Sequence, residues 1–484
     1  MFTDIKQCFD SIWLDEATND LYDSGIISRN LNLLYEGNRK TRMCIETTFG
    51  ISERVELNNV VMQGSVPGGL FCSNQLSKLC NKLYSEGKVY MYKGQVPIPP
   101  LAMVDDVVSA NLCNSTDALT CNIKTDTFIQ RKKMESQVGE GKCQWVHRGE
   151  GECKSTYHAN NVEITQSETY KYLGDHVSDG WEPLYNKRWD KAQGYIAICL
   201  AMCSEISLGF QVYNTAKLFH QSIFINGALT NMETWPNCTS ARIQSFERLE
   251  QMYFRKVLSA HSKTPIESIY LELGVIPLTF QLMKRRIMYL QLILKRNDDE
   301  ITKQVILAQT NDCYDGDFLA QTEKDMKNLS ITRKYLTSVS KETLKLQLVE
   351  KVNEAAFQFL MSKAENHSKV NKELYTSCEG SSYFSDSRFT PDLANLLFKF
   401  RTRGFLVKNN FRNNYRNTNI MCPLCEDSDD TQEHLFECKA MRDVTIEDVQ
   451  YNDIFSSETE VLLNVAMNLK RIVGQRETLL NPDR

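Results

Sequence analysis

The stretch Leu101-Ala102-Met103-Val104-Asp105-Asp106-Val107-Val108 decides how the rest of the chain is read. Two adjacent acids sit between apolar runs. On an extended strand neighbouring side chains point to opposite faces, whereas at a tight turn between two strands both carboxylates reach the tip. The apolar flanks then bury the strands and leave the acids exposed at the turn. Carboxylates held this way suit a hard divalent cation such as Mg²⁺, which keeps several waters and also takes phosphate oxygens. Two solvated acids in a plain loop would have the same composition, so the company the pair keeps matters.

That company begins upstream. Phe2-Thr3-Asp4-Ile5 reads as a short strand whose end places Asp4 where a third carboxylate could join the pair. A turn then leads into a helix with Phe9, Ile12, Trp13 and Ala17 on one side. Residues 14–40 read as helix, broken at Ser24-Gly25, and residues 41–62 alternate like a hairpin. The Gly/Pro-rich loop Gln63-Gly64-Ser65-Val66-Pro67-Gly68-Gly69 opens a helix containing Leu76, Leu79 and Leu83; glycines there let backbone approach a ligand closely. A second hairpin-like stretch, residues 88–100, delivers the chain to Asp105.

Downstream, residues 115–138 read as one helix and residues 142–146 as a short strand entered by Lys142. Residues 162–178 read as two strands joined near Gln166-Ser167, the second carrying Tyr172-Leu173-Gly174. From about Trp181 helical periodicity takes over, with candidate helices at 184–205, 210–228, 240–260, 278–296 and 343–365. Lys284, Arg285 and Arg286 cluster on the fourth. Residues 183–300 hold 14 Lys+Arg against 10 Asp+Glu, a mild basic excess.

The 484 residues suffice for two to four domains. A net charge of −5 gives no global nucleic-acid signature, so any basic surface must be local. The 16 cysteines are scattered and no secretory signal is read, so most are expected to be reduced and the protein intracellular, nuclear or cytoplasmic. No apolar run approaches the ~18 residues of a membrane-spanning helix.

Residues 396–417 hold Lys399, Arg401, Arg403, Lys408, Arg412 and Arg416 without an acid, interleaved with Phe398, Phe400, Phe405, Phe411 and Tyr415. Cations neutralise phosphates and aromatic faces stack bases, so this is a composition that nucleic-acid contacts use; an amphipathic helix with its aromatics in the core has it too. Next come Cys422-Pro423-Leu424-Cys425, then His434 and Cys438. A CxxC turn followed by a His/Cys pair at helical spacing can close a tetrahedral Zn²⁺ site, and four protein ligands make it a structural one.

The order of these motifs resembles the palm of reverse transcriptases, in particular those of non-LTR retrotransposons: Asp4…Phe9-Asp10, Gln63-Gly64-Ser65-Val66-Pro67, Met103-Val104-Asp105-Asp106, Gly141-Lys142-Cys143 and Tyr172-Leu173-Gly174. The Cys-Cys-His-Cys knuckle preceded by Arg401-Thr402-Arg403 also fits. Five weak motifs in order are specific where each alone is not. The resemblance implies an α+β fold: an antiparallel palm sheet with packed helices over 1–182, a helical thumb over 183–300, an α-helical region over 301–392, a basic segment with the zinc knuckle over 393–445, and a tail over 446–484. It implies an RNA-directed DNA polymerase acting on an RNA template, a DNA primer or target DNA, and dNTPs. Asp4, Asp105 and Asp106 are then the carboxylates that hold two Mg²⁺ ions. Phe9 is the aromatic that excludes a ribose 2′-hydroxyl, Gln63 and Gly64 position template and nucleotide, Lys142 neutralises pyrophosphate, and Tyr172, Leu173 and Gly174 grip the primer end. The fingers of such an enzyme would precede Asp4, so an N-terminally truncated reading frame is expected. The rival reading is an idle remnant that only binds RNA or DNA. A nucleotide cyclase with a similar palm accounts for neither the helical second half nor the knuckle.

Overall fold

The computed structural model describes residues 1–484 apart from 40, 58–60, 62–65, 206–211, 236, 237, 239, 366, 368, 412–418, 442–448 and 482–484. Gln63, Gly64, Arg412, Tyr415 and Arg416 therefore lie outside the described residues. The fold mixes helices with small antiparallel sheets. It divides into two compact units, Met1–Leu184 with Asn297–Asp312, and Tyr185–Arg296 with Cys313–Arg484.

The first unit is built on a three-stranded antiparallel sheet, with Asp106–Val108 between Phe2–Asp4 and Leu101–Met103. Its register is Asp4↔Asp106, Thr3↔Val107 and Phe2↔Val108 on one side, and Met103↔Asp106 and Ala102↔Val107 on the other. The two-residue alternation puts Thr3, Val107 and Ala102 on one face. Val107 is buried there in a core that includes Ile5, Cys8, Ile12, Leu14, Leu21, Phe71, Leu76 and Ile129. Ile5 and Ile12 flank the short helix Cys8–Ser11, and the others come from that helix and from Leu14–Asp23, Val66–Ser85 and Thr116–Arg131. The opposite face carries Phe2, whose ring stacks on Tyr170 at 4.1 Å between centroids. Tyr170 belongs to the hairpin Thr169–Tyr172/Asp175–Ser178.

Local chemistry moves several expected boundaries. The helix expected over 115–138 spans Thr116–Arg131, and Lys133 just beyond it takes a left-handed φ of 60°. The following segment runs beside the first strand, with Gln137 N donating to Asp4 O and Phe2 N to Gln144 O. The strand expected over 142–146 is reduced to isolated pairings, Phe2↔Gln144, Val138↔Cys143 and Trp145↔Gln166. The two strands expected to join near Gln166-Ser167 do not pair with each other: Val162–Glu163 pairs with His158–Ala159, and Thr169–Tyr172 pairs with Asp175–Ser178 through the glycine turn Leu173-Gly174, both residues at positive φ, as a two-residue hairpin turn requires. The hairpin Tyr90–Tyr92/Val96–Ile98 is braced by the helix Ile301–Asn311. Gln309 Nε2 donates to Tyr92 Oη at 3.0 Å, and Lys93 Nζ bonds to Asp312 O.

The second unit is helical, and buried ion pairs and carboxylates tie its elements together. Glu272, fully buried, accepts from Arg401 Nε at 2.9 Å, from Tyr375 and Tyr383 Oη at 2.8 Å each, and from Ser381 Oγ at 2.5 Å. Arg401 also donates to Ile454 O at 2.7 Å. Glu250 pairs with His220 Nε2 at 2.8 Å, and His220 is the first residue of a π-helical turn, His220–Ile225, inside what periodicity reads as one α-helix. The expected cationic cluster on Leu278–Leu294 is largely consumed by packing. Arg286 is buried against Asp325 at 3.0 Å, and Arg285 donates to Leu229 O and Asn226. Among the described residues no single helix is long and apolar enough to cross a membrane.

Glu272 has four donors but one cation, so removing Arg401 leaves an uncompensated buried charge. Arg401→Met is expected to cost about 3–5 kcal/mol of unfolding free energy, whereas Glu272→Gln/Arg401→Met recovers part of it. Chemical denaturation of the three proteins checks this.

Candidate carboxylate site and metal centre

The three expected acids converge in the first unit. The Asp4↔Asp106 pairing sets these residues directly opposite each other across two strands, and Asp105 is the second residue of the turn that precedes Asp106. Val104, the first turn residue, sits at φ 60°. A β-branched side chain there is strained, at a cost of order 1–3 kcal/mol. The neighbouring hydrogen bonds of a closed hairpin hold it, and the strained turn is what lifts Asp105 to the tip.

Lys142 reaches the cluster, with Nζ 3.2 Å from Asp4 Oδ2. Cys143 fixes Asp4 from behind, its Sγ accepting from Asp4 N at 3.3 Å. Asp106 is held above the ordinary aspartate value by partial burial, then by the charges of Asp105 and Asp4, with Lys142 opposing. Tyr170 is pushed up by burial and then by the charges of Asp106 and Asp4. Sequence reading missed Tyr170 and Cys143. The alternation of Tyr170 with Tyr172 on one strand was the signal available for the first.

The remaining expected residues are placed as follows. Phe9 is half-buried against the core of this unit. Tyr172 is half-buried beside Phe2, with ring centroids 5.6 Å apart. Leu173 and Gly174 form the exposed hairpin tip.

The basic, aromatic segment is corrected. Arg401 is buried on Glu272 and cannot meet a partner in solvent. Phe398, Phe400 and Phe411 are buried in the core, and Phe405 packs on Phe400 at 4.5 Å. The Lys408 ammonium is turned inward onto Met421 O at 3.0 Å. Lys399 is half-buried, and Arg403 is exposed. The amphipathic pattern thus reflects a core helix, Pro391–Arg401, and the turns after it.

The cysteine–histidine set does assemble. Cys425 Sγ lies 3.2 Å from His434 Nε2, Cys422 Sγ lies 4.0 Å from Cys438 Sγ, and all four donor atoms lie within 4.8 Å of one another. A tetrahedral ion with Zn–S bonds of about 2.3 Å needs S···S edges of about 3.8 Å, so the donors and their spacing fit zinc. Met421↔Asp429 closes the turn that carries both first cysteines, and Thr431 caps the helix Gln432–Glu437 that presents His434. Asp430, buried between them, pairs with Arg476 at 2.9 Å and accepts from Lys408 N at 2.8 Å. Among the described residues this is the one group of three or more His, Cys, Asp or Glu side chains gathered so closely; the three carboxylates of the first unit stand further apart.

No family model matches the chain, and no curated protein matches it.

Two outcomes follow. The purified chain should carry one zinc ion, and Cys422→Ser or His434→Ala should abolish binding. Burial pushes the Cys438 thiol up to about 12, and zinc takes the thiolate, so metal binding displaces a proton. Competition with a chelator at several pH values should therefore show affinity rising with pH. For Asp106 the sign runs the other way. Its raised value means that folding disfavours the charged form, a penalty absent below the unfolded value of about 3.9 and present at neutral pH. Asp106→Asn should melt above the parent at pH 7, with the gap closing near pH 3.

Proposed function

We propose that this chain is an RNA-directed DNA polymerase of the non-LTR retrotransposon type, with the first unit as its palm. The observation that carries the reading is the strand register that sets Asp4 opposite Asp106, with Asp105 at the adjoining strained turn and Lys142 on Asp4. The helical thumb is then 183–300, the α-helical region 301–392, the knuckle segment 393–445 and the tail 446–484. An intracellular site of action goes with this reading.

Asp4, Asp105 and Asp106 offer only oxygen ligands, and the partial burial and then the neighbouring carboxylates that raise Asp106 favour a bound cation; they would hold Mg²⁺. Bound there, two such ions supply activation of the primer 3′-hydroxyl and charge neutralisation on the leaving pyrophosphate. The bond formed joins the primer oxygen to the α-phosphorus of a dNTP, and the bond broken releases pyrophosphate. Lys142 is the protein's own cation at this point and is suited to neutralise that leaving group. The hairpin ending at Tyr172-Leu173-Gly174 packs beside the same sheet, where a primer end would lie, and Phe9 is the candidate barrier to a 2′-hydroxyl.

Structural zinc in the second unit is equally at home in a chain that binds nucleic acid without extending it. Primer extension on an RNA template with dNTPs and Mg²⁺ separates the two readings. The polymerase reading expects extension by the parent chain and a loss on the order of 10³-fold or more in Asp105→Asn, corresponding to several kcal/mol of transition-state stabilisation. Template binding without any extension by the parent sinks it in favour of the binding remnant.

A further inference from the structure

The cysteines of this chain differ in what surrounds them. Cys8 and Cys72 touch, Sγ to Sγ at 3.4 Å, but both are sealed in the core of the first unit, where the Cys72 thiol and burial hold Cys8 far above the ordinary thiol value. Thiols in such surroundings are inert. Cys44 and Cys313 are exposed on the surface. Cys113 and Cys153 are of neither kind: both are partly exposed, and they lie together.

One side chain brings them together. Cys113 stands just before the helix Thr116–Arg131, and Cys153 follows the exposed residues 148–152. Asn114 Nδ2 donates to Glu152 O at 3.0 Å, and Lys154 N donates to Asn114 Oδ1 at 2.6 Å, so Asn114 grips the backbone on both sides of Cys153. Ser115, next in line, caps the helix by accepting from Ala118 N at 3.1 Å, which anchors the other end of the grip. A side-chain hydrogen bond joins the two thiols. Tyr157 Oη lies 3.9 Å from Cys153 Sγ, and its ring is set edge-on to Trp145, with centroids 5.4 Å apart. Both cysteines line a cavity of about 460 Å³ with Val108, Leu112, Trp145 and Tyr157.

The pair is chemically unequal. Partial burial opposes ionisation of Cys153, but the Cys113 thiol, the Ser155 N–H, the Tyr157 hydroxyl and the Asn114 N–H outweigh it and hold Cys153 below the ordinary thiol value. Cys113 goes the other way, pushed up to about 11 by burial and then by Cys153. Tyr157 is pushed up to about 12 by burial and then by the Cys153 charge, so its hydroxyl stays a donor. An accessible thiolate with a protonated thiol against it is the arrangement of an attacking and a resolving cysteine.

We propose that Cys153 and Cys113 form a redox-active dithiol, in which Cys153 reacts with a hydroperoxide and Cys113 resolves the product as a disulfide. The Cys153 sulfur gives an electron pair to the terminal oxygen of the hydroperoxide, the O–O bond breaks, and the departing alkoxide (hydroxide, for hydrogen peroxide) takes a proton from solvent. The Cys113 sulfur then attacks the sulfenic sulfur, the S–O bond breaks, and the oxygen leaves as water with the Cys113 proton. Two thiols are oxidised to one disulfide, and the hydroperoxide is reduced to an alcohol and water. A low-molecular-weight thiol restores the pair by two exchange steps and leaves as its own disulfide. The cross-link ties the start of the helix Thr116–Arg131 to the segment after Arg148 across the cavity wall. It involves none of the three carboxylates, so the proposal stands whether or not the chain transfers nucleotides.

The test begins with the reduced full chain at pH 7. It is treated with limiting iodoacetamide, and the rate at each cysteine is read by mass spectrometry of tryptic peptides. Cys153 should be alkylated at least about tenfold faster than the more exposed Cys44 and Cys313. An equimolar amount of hydrogen peroxide should give a Cys113–Cys153 disulfide that dithiothreitol reverses. In Cys113→Ser the same treatment should leave Cys153 as a sulfenic acid that dimedone captures. In Cys153→Ser, capture at Cys113 should fall at least about tenfold below that. Faster alkylation of Cys44 or Cys313 than of Cys153, a disulfide between other cysteines, or oxidation of Cys422, Cys425 or Cys438 ahead of Cys153 overturns the proposal. The alkylation rates come from the parent chain, so they decide the matter without either variant.

Discussion

Two carboxylates, Asp4 and Asp106, are set opposite each other by backbone hydrogen bonds that care nothing for their charge, with a third, Asp105, at the adjoining turn. The register Asp4↔Asp106 is set by the apolar face of the same strands, where Thr3, Val107 and Ala102 must meet the core. A slip of one residue would turn Val107 to the outside. Burial on one face thus clamps carboxylates on the other, and Asp106 is held above the ordinary aspartate value by its own partial burial and then by Asp105 and Asp4. The polymerase reading of the first unit depends on that clamp holding against repulsion.

The second unit solves the opposite problem. Its buried acids, Glu250, Glu272, Asp325 and Asp430, are each supplied with donors drawn from distant parts of the chain. Such pairs add little net stability over apolar packing but are costly to break.

This explains what the sequence did and did not disclose. The hairpin at Asp105-Asp106 and the Cys422, Cys425, His434 and Cys438 set were legible, because their signals are short-range: apolar flanks around a two-residue turn, and donors a few residues apart. Arg401 was misread because its partner, Glu272, is 129 residues away and leaves no local trace. Phe398, Phe400 and Phe411 were ambiguous for a similar reason, since interleaved aromatics serve a core as well as a stacking surface.

The helix Ile301–Asn311 has a consequence for how the protein is made. It braces a hairpin at Tyr90–Tyr92, and the bond from Lys93 to Asp312 closes a loop of 219 residues. A ribosome delivers the N-terminal unit first but withholds this brace until the chain has passed through Tyr185–Arg296. At ~5–20 residues per second, that delay is on the order of ten seconds or more. During it the sheet bearing Asp4, Asp105 and Asp106 exists with one hairpin unsupported, and assembly of the unit is tied to the synthesis of a segment that is not part of it.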